Sequence, residues 1–335
     1  MGIPTRQVQL ARQPEGQIRA SDFRVVESAL PEPGPEDILV RNEWMSVDPY
    51  MRLGLGDRKG FLAPLQPGEV MQGAAIGIVE HSLDPAIPEG SRVLGNMGWR
   101  TRFIARPDQL TPVSSDVPPH WHLGILGLTG VTAYLGVEDV LAPQPGETLF
   151  ISGASGAVGS IAVQLAKLRG ARVLGTCSSP EKASWLLQEA GIDAVSDYRQ
   201  ETTEAFLARE ATEGVNCYFD NVGGPILECL LGKMKPYGRI ALCGAISQYE
   251  AGDYRRGPAD FFSVIEKSLS LRGFNAFLLT PQENADIVEW LKARAVDGRI
   301  RPFETIVDGL DRAAEAFARL FNGGYLGKVI VQIHE

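Results

Sequence analysis

Cysteine is scarce and unevenly placed in this chain: there are four in 335 residues and none before position 177. Cys177, Cys217, Cys229 and Cys243 sit in apolar settings such as VNCYFD and ALCGA, and no two have CxxC spacing. That excludes a disulfide framework and a zinc ribbon, and leaves buried, reduced thiols. Long apolar runs are missing too. No stretch approaches the roughly 18 unbroken apolar residues of a membrane helix, and MGIPTRQVQL lacks the apolar centre of a secretory leader. Gly2 invites myristoylation, but Arg6 stands where Ser or Thr is required. Basic clusters are absent and the net charge is −9, which argues against nucleic-acid and anionic-membrane partners. His81, His120, His122 and His334 have no Cys or acidic companion at ligand spacing, so no metal site is expected. The expectation is a cytoplasmic protein that handles small molecules.

What is present is ordinary globular composition, 44% hydrophobic and 22% charged, in a chain long enough for two domains. Its organising stretch is Glu147 to Gly170, ETLFISGASGAVGSIAVQLAKLRG. Leu149, Phe150 and Ile151 form a short apolar strand, and glycines follow at Gly153, Gly156 and Gly159. Ile161, Ala162, Leu165 and Leu168 then recur at helical spacing until Gly170. The reading is strand, tight turn, helix. Such glycines let backbone approach a pyrophosphate, and the unpaired N–H groups of the helix then face the phosphates. Three spaced glycines alone are weak evidence; the strand before and the amphipathic helix after give them weight.

Residues 1 to about 120 lack helical periodicity. RQVQLAR, FRVVES, DILVRNEWMSV, AAIGIVEHS and SRVLGNMG read as strands separated by Pro/Gly turns such as PEPGPED. In VDPYMR, Tyr50 and Arg52 are either a phenol and a guanidinium at a cleft edge, or half-buried packing beside a surface charge. The Pro-rich segment Pro112 to His122 marks a boundary, followed by a buried helix over GILGLTGVTAYLGVEDVL. From Leu149 on, strands and helices alternate. TLFIS, RVLGTC, DAVSDY, NCYFDNV, RIALCGA and LSLRGFNAF are six strands of a parallel, doubly wound α/β sheet. Ligands bind beyond the carboxyl ends of such strands, which singles out CSSPEK, DNVGG, CGAIS and FNA. The last strand, Val329 to Ile333, returns to the β domain. Residues 1–122 and 303–335 then form one domain and 123–302 the other.

The second strand ends in Thr176, Cys177, Ser178 and Ser179, with no acidic residue for a ribose 2′-hydroxyl. Ser178 and Lys182 suit the 2′-phosphate of NADP(H) instead; the alternative is a solvated helix-start lysine. Asn221 either bonds a nicotinamide ribose or amide, or simply forms an Asx turn.

Taken together, LPEPG (30–34), VDPYMR (47–52), GLTGVTAY (127–134), GASGAVGS (153–160), AKLRGARVLG (166–175), EK (181–182), YFDNVGG (218–224), GRIALCGAIS (238–247), LRGF (271–274) and LGK (326–328) resemble one family. It is the zinc-independent, NADPH-dependent alkenal/one double-bond reductases, prostaglandin reductase among them, of the medium-chain dehydrogenase/reductase superfamily. The resemblance implies a GroES-like first domain, a Rossmann cofactor domain and a homodimer joined through the latter. By position, Gly156, Ala157, Val158 and Gly159 line the pyrophosphate, Lys182 and Ser178 meet the 2′-phosphate, and Tyr198 lies beside the adenosine. Asn221, Cys243, Gly244, Ala245, Ile246, Ser247, Tyr249, Phe274, Asn275 and Ala276 surround the nicotinamide. Zinc relatives carry Cys and His ligands in the first domain, and residues 1–176 contain no Cys. Two positions depart from the family: Glu266 replaces a tyrosine eight residues before Phe274, and Tyr325 replaces an asparagine of the C-terminal cofactor loop.

The expected reaction is NADPH-dependent reduction of the C=C bond of an α,β-unsaturated ketone or aldehyde, with hydride delivered to the β-carbon. The resulting enolate oxygen needs preorganised donors. Tyr50, Tyr249 or the cofactor ribose are the candidates, with water or a tyrosine protonating the α-carbon. A quinone reductase of the same fold and a non-catalytic NADPH-binding protein remain the alternatives.

Overall fold

The computed structural model describes residues 2–56, 62–249, 257–258 and 261–334. They fall into two compact units: residues 1–123, 304–325 and 329–335 form the first, and 124–303 with 326–328 the second.

The first unit begins with β1 (Ile3–Leu10) and β2 (Phe23–Leu30), a separate antiparallel pair. There follow β3 (Ile38–Ser46), β4 (Ala75–His81), β5 (Arg92–Gly95), β6 (Arg102–Ala105) and β7 (Thr111–Pro112). The last two are short and escaped the sequence reading. β3 is the hub, pairing antiparallel with both β4 and β6. Its buried Asn42 is tolerated because the side-chain amide donates to Met97 O (2.9 Å) and Arg100 O (2.8 Å) of the loop beneath.

The second unit opens with α1 (Leu128–Tyr134). The segment read as one buried helix continues beyond it as wide π-helical turns over Leu135–Leu141 and stops at Ala142, whose φ is +40°. β8 (Thr148–Ile151), β9 (Arg172–Cys177), β10 (Ala194–Asp197), β11 (Val215–Asp220), β12 (Met234–Leu242) and β13 (Ser270–Gly273) then alternate with α2 (Ala157–Leu168), α3 (Pro180–Trp185), α4 (Thr203–Glu210), α5 (Gly224–Lys233) and α6 (Phe262–Glu266). After β13 comes α7 (Pro281–Val296). The six strands form one parallel sheet in the order β10-β9-β8-β11-β12-β13. Burial on both faces explains the apolar runs Leu149–Ile151 of β8 and Cys217–Phe219 of β11. This is the doubly wound order in which the first strand lies next to the fourth. Connections leave in opposite directions at β8 and β11, so a crevice opens beyond their carboxyl ends. On α2, Ile161, Ala162 and Leu165 are buried as their spacing implies, but Leu168 is 45% exposed. As the last residue of the helix, it has passed the edge of the core.

The chain ends in β14 (Glu304–Asp308), α8 (Ala313–Leu320) and β15 (Lys328–Gln332). β15 pairs antiparallel with β3, giving the first unit's sheet the order β14-β15-β3-β4-β5-β7. Phe317 of α8 packs edge-on against Trp99 (5.8 Å) and Phe23 (5.9 Å). The C-terminal tail thereby completes the core of the N-terminal unit.

Candidate cofactor site

The carboxyl ends of the second unit's strands gather most of the residues singled out from the sequence. Beyond β8, Gly153 has φ +61°, and a Cβ on Gly159 would run into Gly153 O and come within 2.9 Å of Ala154 Cα. Only glycine lets α2 start this close to the strand that feeds it. Gly156 caps α2 with no side-chain hydrogen bond. The first amides of the helix, Ala157, Val158 and Gly159, have no acceptor within the helix, the feature that makes a helix N-terminus suited to an anion. The turn is tethered sideways to β9, Gly153 N–H donating to Thr176 Oγ1 (3.2 Å) and Ala154 N–H to Thr176 O (2.9 Å).

At the end of β9, Ser179 caps α3, its Oγ accepting from Lys182 N–H (3.3 Å), with Pro180 at the first helical position. The cap turns Lys182 back over the strand end, where Nζ donates to Oγ of the buried Ser178 (3.1 Å). Burial lowers the Lys182 pKa, and the nearby Arg199 lowers it further. Because Asp197 is in register with Cys177, Tyr198 and Arg199 leave β10 beside Ser178; Tyr198 N–H donates to Cys177 O (3.1 Å) and its side chain is exposed. Arg199 is a component that sequence reasoning missed. Its signal was the DYR triplet at a strand end, legible only once β10 is known to lie next to β9.

The loop after β11 is built on a buried carboxylate. Asp220 Oδ1 accepts from Tyr218 OH (2.6 Å), Gly223 N–H (2.8 Å), Val222 N–H (3.0 Å) and Ser152 OH (3.2 Å). Ser152 Oγ in turn accepts Asn221 N–H (2.9 Å), and Asn221 Nδ2 donates to Ser152 O (2.8 Å). With its amide nitrogen committed inward, Asn221 offers Oδ1 as an acceptor. Beyond β12, Cys243 and Gly244 N–H donate to Asp220 O (2.9 and 3.0 Å), while Ile246 and Ser247 N–H donate to Asn221 O and Val222 O (3.3 and 3.2 Å). Burial pushes the Cys243 thiol up to about 12, so it stays neutral. Tyr249 folds back on this loop, its hydroxyl 3.5 Å from Ala245 N–H. After β13, Phe274 packs edge-on against Phe219 (6.1 Å), and Asn275 Oδ1 accepts Phe277 N–H (3.0 Å), opening a short turn over Ala276–Leu278.

One further strand end belongs here. Gly327, at φ +65°, bridges Gly156, its N–H donating to Ser155 O (2.9 Å). A Cβ there would run into Phe303 O. The glycine of LGK is thus a residue of the C-terminal loop that meets the glycine turn within the second unit. Tyr325 lies in the first unit beneath the Arg319 guanidinium (5.0 Å), against the core that contains Phe317. Glu266 closes α6 and is exposed.

In the first unit, Tyr50 lies on the short helical turn Pro49–Gly54, packed against the core. Burial, and next the Asp48 carboxylate, hold its phenol pKa well above the usual tyrosine value. Arg52 is neither a surface charge nor a cleft edge: it is 7% exposed and donates to Leu55 O (3.0 Å) and Gly16 O (3.3 Å), tying two loops.

Two family models match the chain, an N-terminal domain of oxidoreductase over residues 6–113 and a zinc-binding dehydrogenase over 157–293. A 2-alkenal reductase (NADP(+)-dependent) of Nicotiana tabacum is 36% identical over 99% of this chain and 98% of its own. Prostaglandin reductase 1 of Bos taurus is 35% identical over 93% and 94%. The solved structure of CurA in complex with NADPH from Vibrio vulnificus superposes with a TM-score of 0.92, at 32% identity, covering 98% of this chain and 99% of that one. The chain belongs to the NADP-dependent alkenal and prostaglandin reductases of the medium-chain dehydrogenase/reductase family.

Among the described residues no group of three or more His, Cys, Asp or Glu is placed to hold the zinc named in the second model's description. Instead, His81 meets Glu89 (3.1 Å), His334 meets Asp308 (2.6 Å) and His120 meets Glu304 as simple pairs. A phosphorylated dinucleotide fits better. The uncapped α2 amides suit a pyrophosphate, and the desolvated Lys182 beside Ser178, with Arg199 near, suits a phosphate dianion where an NAD site would carry a carboxylate. Among the described residues, no helix is long and apolar enough to cross a membrane.

Proposed function

We infer that this protein reduces the C=C bond of α,β-unsaturated ketones and aldehydes with NADPH. The observation that carries the reading is the Lys182–Ser178 pair at the end of β9, in a chain related along its length to alkenal and prostaglandin reductases. When bound, NADPH supplies the hydride for the β-carbon. The Ala157, Val158 and Gly159 amides would take the pyrophosphate, and Lys182, Ser178 and Tyr198 the phosphorylated adenosine. Asn221 Oδ1, the Cys243–Ser247 loop and Phe274 to Ala276 would take the nicotinamide end.

Charge that collects on the carbonyl oxygen needs a donor that is still protonated at working pH. Tyr50 is suited to that task, because burial and Asp48 keep its phenol neutral. Tyr249, on the loop after β12, is the second candidate. The four cysteines are unpaired, in keeping with the reducing cytoplasm.

We further propose a homodimer formed through the second unit. β13 closes the sheet with β12 as its one neighbour among the described residues, and it is flanked by exposed Phe261, Phe262, Ile265, Phe277 and Leu278. An apolar surface beside an open strand edge suits a second copy of the same edge. Light scattering should then give twice the chain mass, and half of that for Ile265→Lys; a monomeric wild type would end this part of the reading.

The test of function is NADPH oxidation against enals, enones and quinones, with the product identified. Saturated carbonyl product supports the assignment. Turnover of quinones alone would replace it with quinone reduction, and tight binding without turnover would make the chain a cofactor-binding protein.

A further inference from the structure

The cofactor edge of the sheet is assembled from loops that are distant in sequence, and each must hold its backbone within a few tenths of an ångström for ligand contacts to form together. The glycine turn after β8 and the loops after β11 and β12 share one organiser. Asp220 is 1% exposed, and its Oδ1 accepts from four donors: Tyr218 OH, Ser152 OH and the Val222 and Gly223 amides. Its own backbone carbonyl accepts Cys243 and Gly244 N–H. Thus Ser152, the last residue before the glycines, is bolted to the loop that carries Asn221, and that loop to CGAIS. A carboxylate suits this role because it accepts from several donors and offers none, and charged acceptors bind roughly twice as strongly as neutral ones.

We propose that Asp220 is the positioning residue for the nicotinamide half of the cofactor site, its buried carboxylate setting the register between Ser152 and the loop that carries Asn221. This rests on the reading that these loops hold NADP(H). The carboxylate touches no reacting atom. It acts through Ser152 and the Val222 and Gly223 amides on Asn221, whose side-chain amide is held by Ser152 O (2.8 Å); Cys243 and Gly244 are tied to the same residue through its backbone carbonyl. The adenosine half has a separate anchor. The glycine turn has a second tie, to Thr176 of β9, and Lys182 on α3 and Ser178 directly after β9 are carried by elements outside the hydrogen-bond set of the Asp220 carboxylate.

That division makes the proposal testable. Asp220→Asn keeps the size but replaces one acceptor edge by a donor; Tyr218→Phe removes a single donor and leaves the carboxylate. Affinity for NADPH and for adenosine 2′,5′-bisphosphate, which carries only the adenosine half, would be measured by calorimetry well below each variant's Tm. Asp220→Asn should weaken NADPH at least tenfold and the bisphosphate less than threefold, and Tyr218→Phe should shift NADPH in the same sense by about two- to fivefold. Equal loss for both probes would make Asp220 a general stability element, and no loss for either would leave it without a role; each overturns the proposal. Should Asp220→Asn fail to fold, the split between probes in Tyr218→Phe and Ser152→Ala decides. A wild type that binds neither probe would refute the cofactor reading itself, a separate result.

Discussion

Replacing Lys182 by alanine removes the ammonium that ends 3.1 Å from Ser178 Oγ, and leaves α3, whose cap is the Ser179 side chain, intact. A hydrogen bond from a charged group to a phosphate contributes about 1.5–3 kcal/mol. At about 1.4 kcal/mol per decade that is roughly a 10- to 150-fold loss in kcat/KM for NADPH. NADH has no 2′-phosphate and should change less than about threefold, so the ratio of the two cofactors is the readout. Lys182→Arg, which keeps the charge, should recover part of the loss. The sign of the pH effect also follows. Burial lowers the Lys182 pKa in the free protein, so the ammonium discharges at a lower pH than an ordinary lysine. The preference for NADPH should be complete below that pKa and decline as pH rises through it, with NADH flat over the same range. A cofactor ratio unchanged in Lys182→Ala would take this residue out of the site and remove the main support for NADP over NAD.

Three further outcomes are expected. Tyr50→Phe and Tyr249→Phe, assayed on an enone, should lower kcat by about 10- to 1,000-fold at whichever phenol donates to the developing oxyanion, with Tm little changed; full activity in both would exclude the pair. Gly159→Ala sets a Cβ against Gly153 O and Ala154 Cα, backbone that cannot move away, and should lower stability by about 1–3 kcal/mol while weakening NADPH; calorimetry matching the wild type would refute the tight turn. Stability should also fall in alkali. Burial raises the Cys217 thiol from 9.0 up to about 12, so below pH 9 the folded and unfolded states are equally protonated. As pH rises from 9 towards 12 only the unfolded thiol ionises, and the urea midpoint should fall by about 1.4 kcal/mol equivalent per pH unit. A slope unaltered in Cys217→Ala would refute that assignment.

Local chemistry made much of this molecule legible in advance. The six parallel strands, the glycine turn and the helix after it follow from apolar runs and from glycines that are visible residue by residue, because periodicity and steric freedom are properties of a short segment. The missing acid after Cys177 and the presence of Lys182 were equally plain, and so was the return of the last strand to the first unit. Side-chain direction was less accessible: Arg52 turned inward to two carbonyls, and Tyr325 settled into the first unit's core.

Only the tertiary structure decided how these pieces meet. Arg199 joins Lys182 because β10 lies in register with β9, and Gly327 reaches the glycine turn through a bridge to Gly156. Asp220 becomes the junction of three loops because β8, β11 and β12 end side by side. A sequence displays the period and chemistry of each element, since those are set by neighbours along the chain. It does not display strand order or register, which are set by burial and hydrogen bonding between segments far apart, and it is at those junctions that the candidate cofactor residues come together.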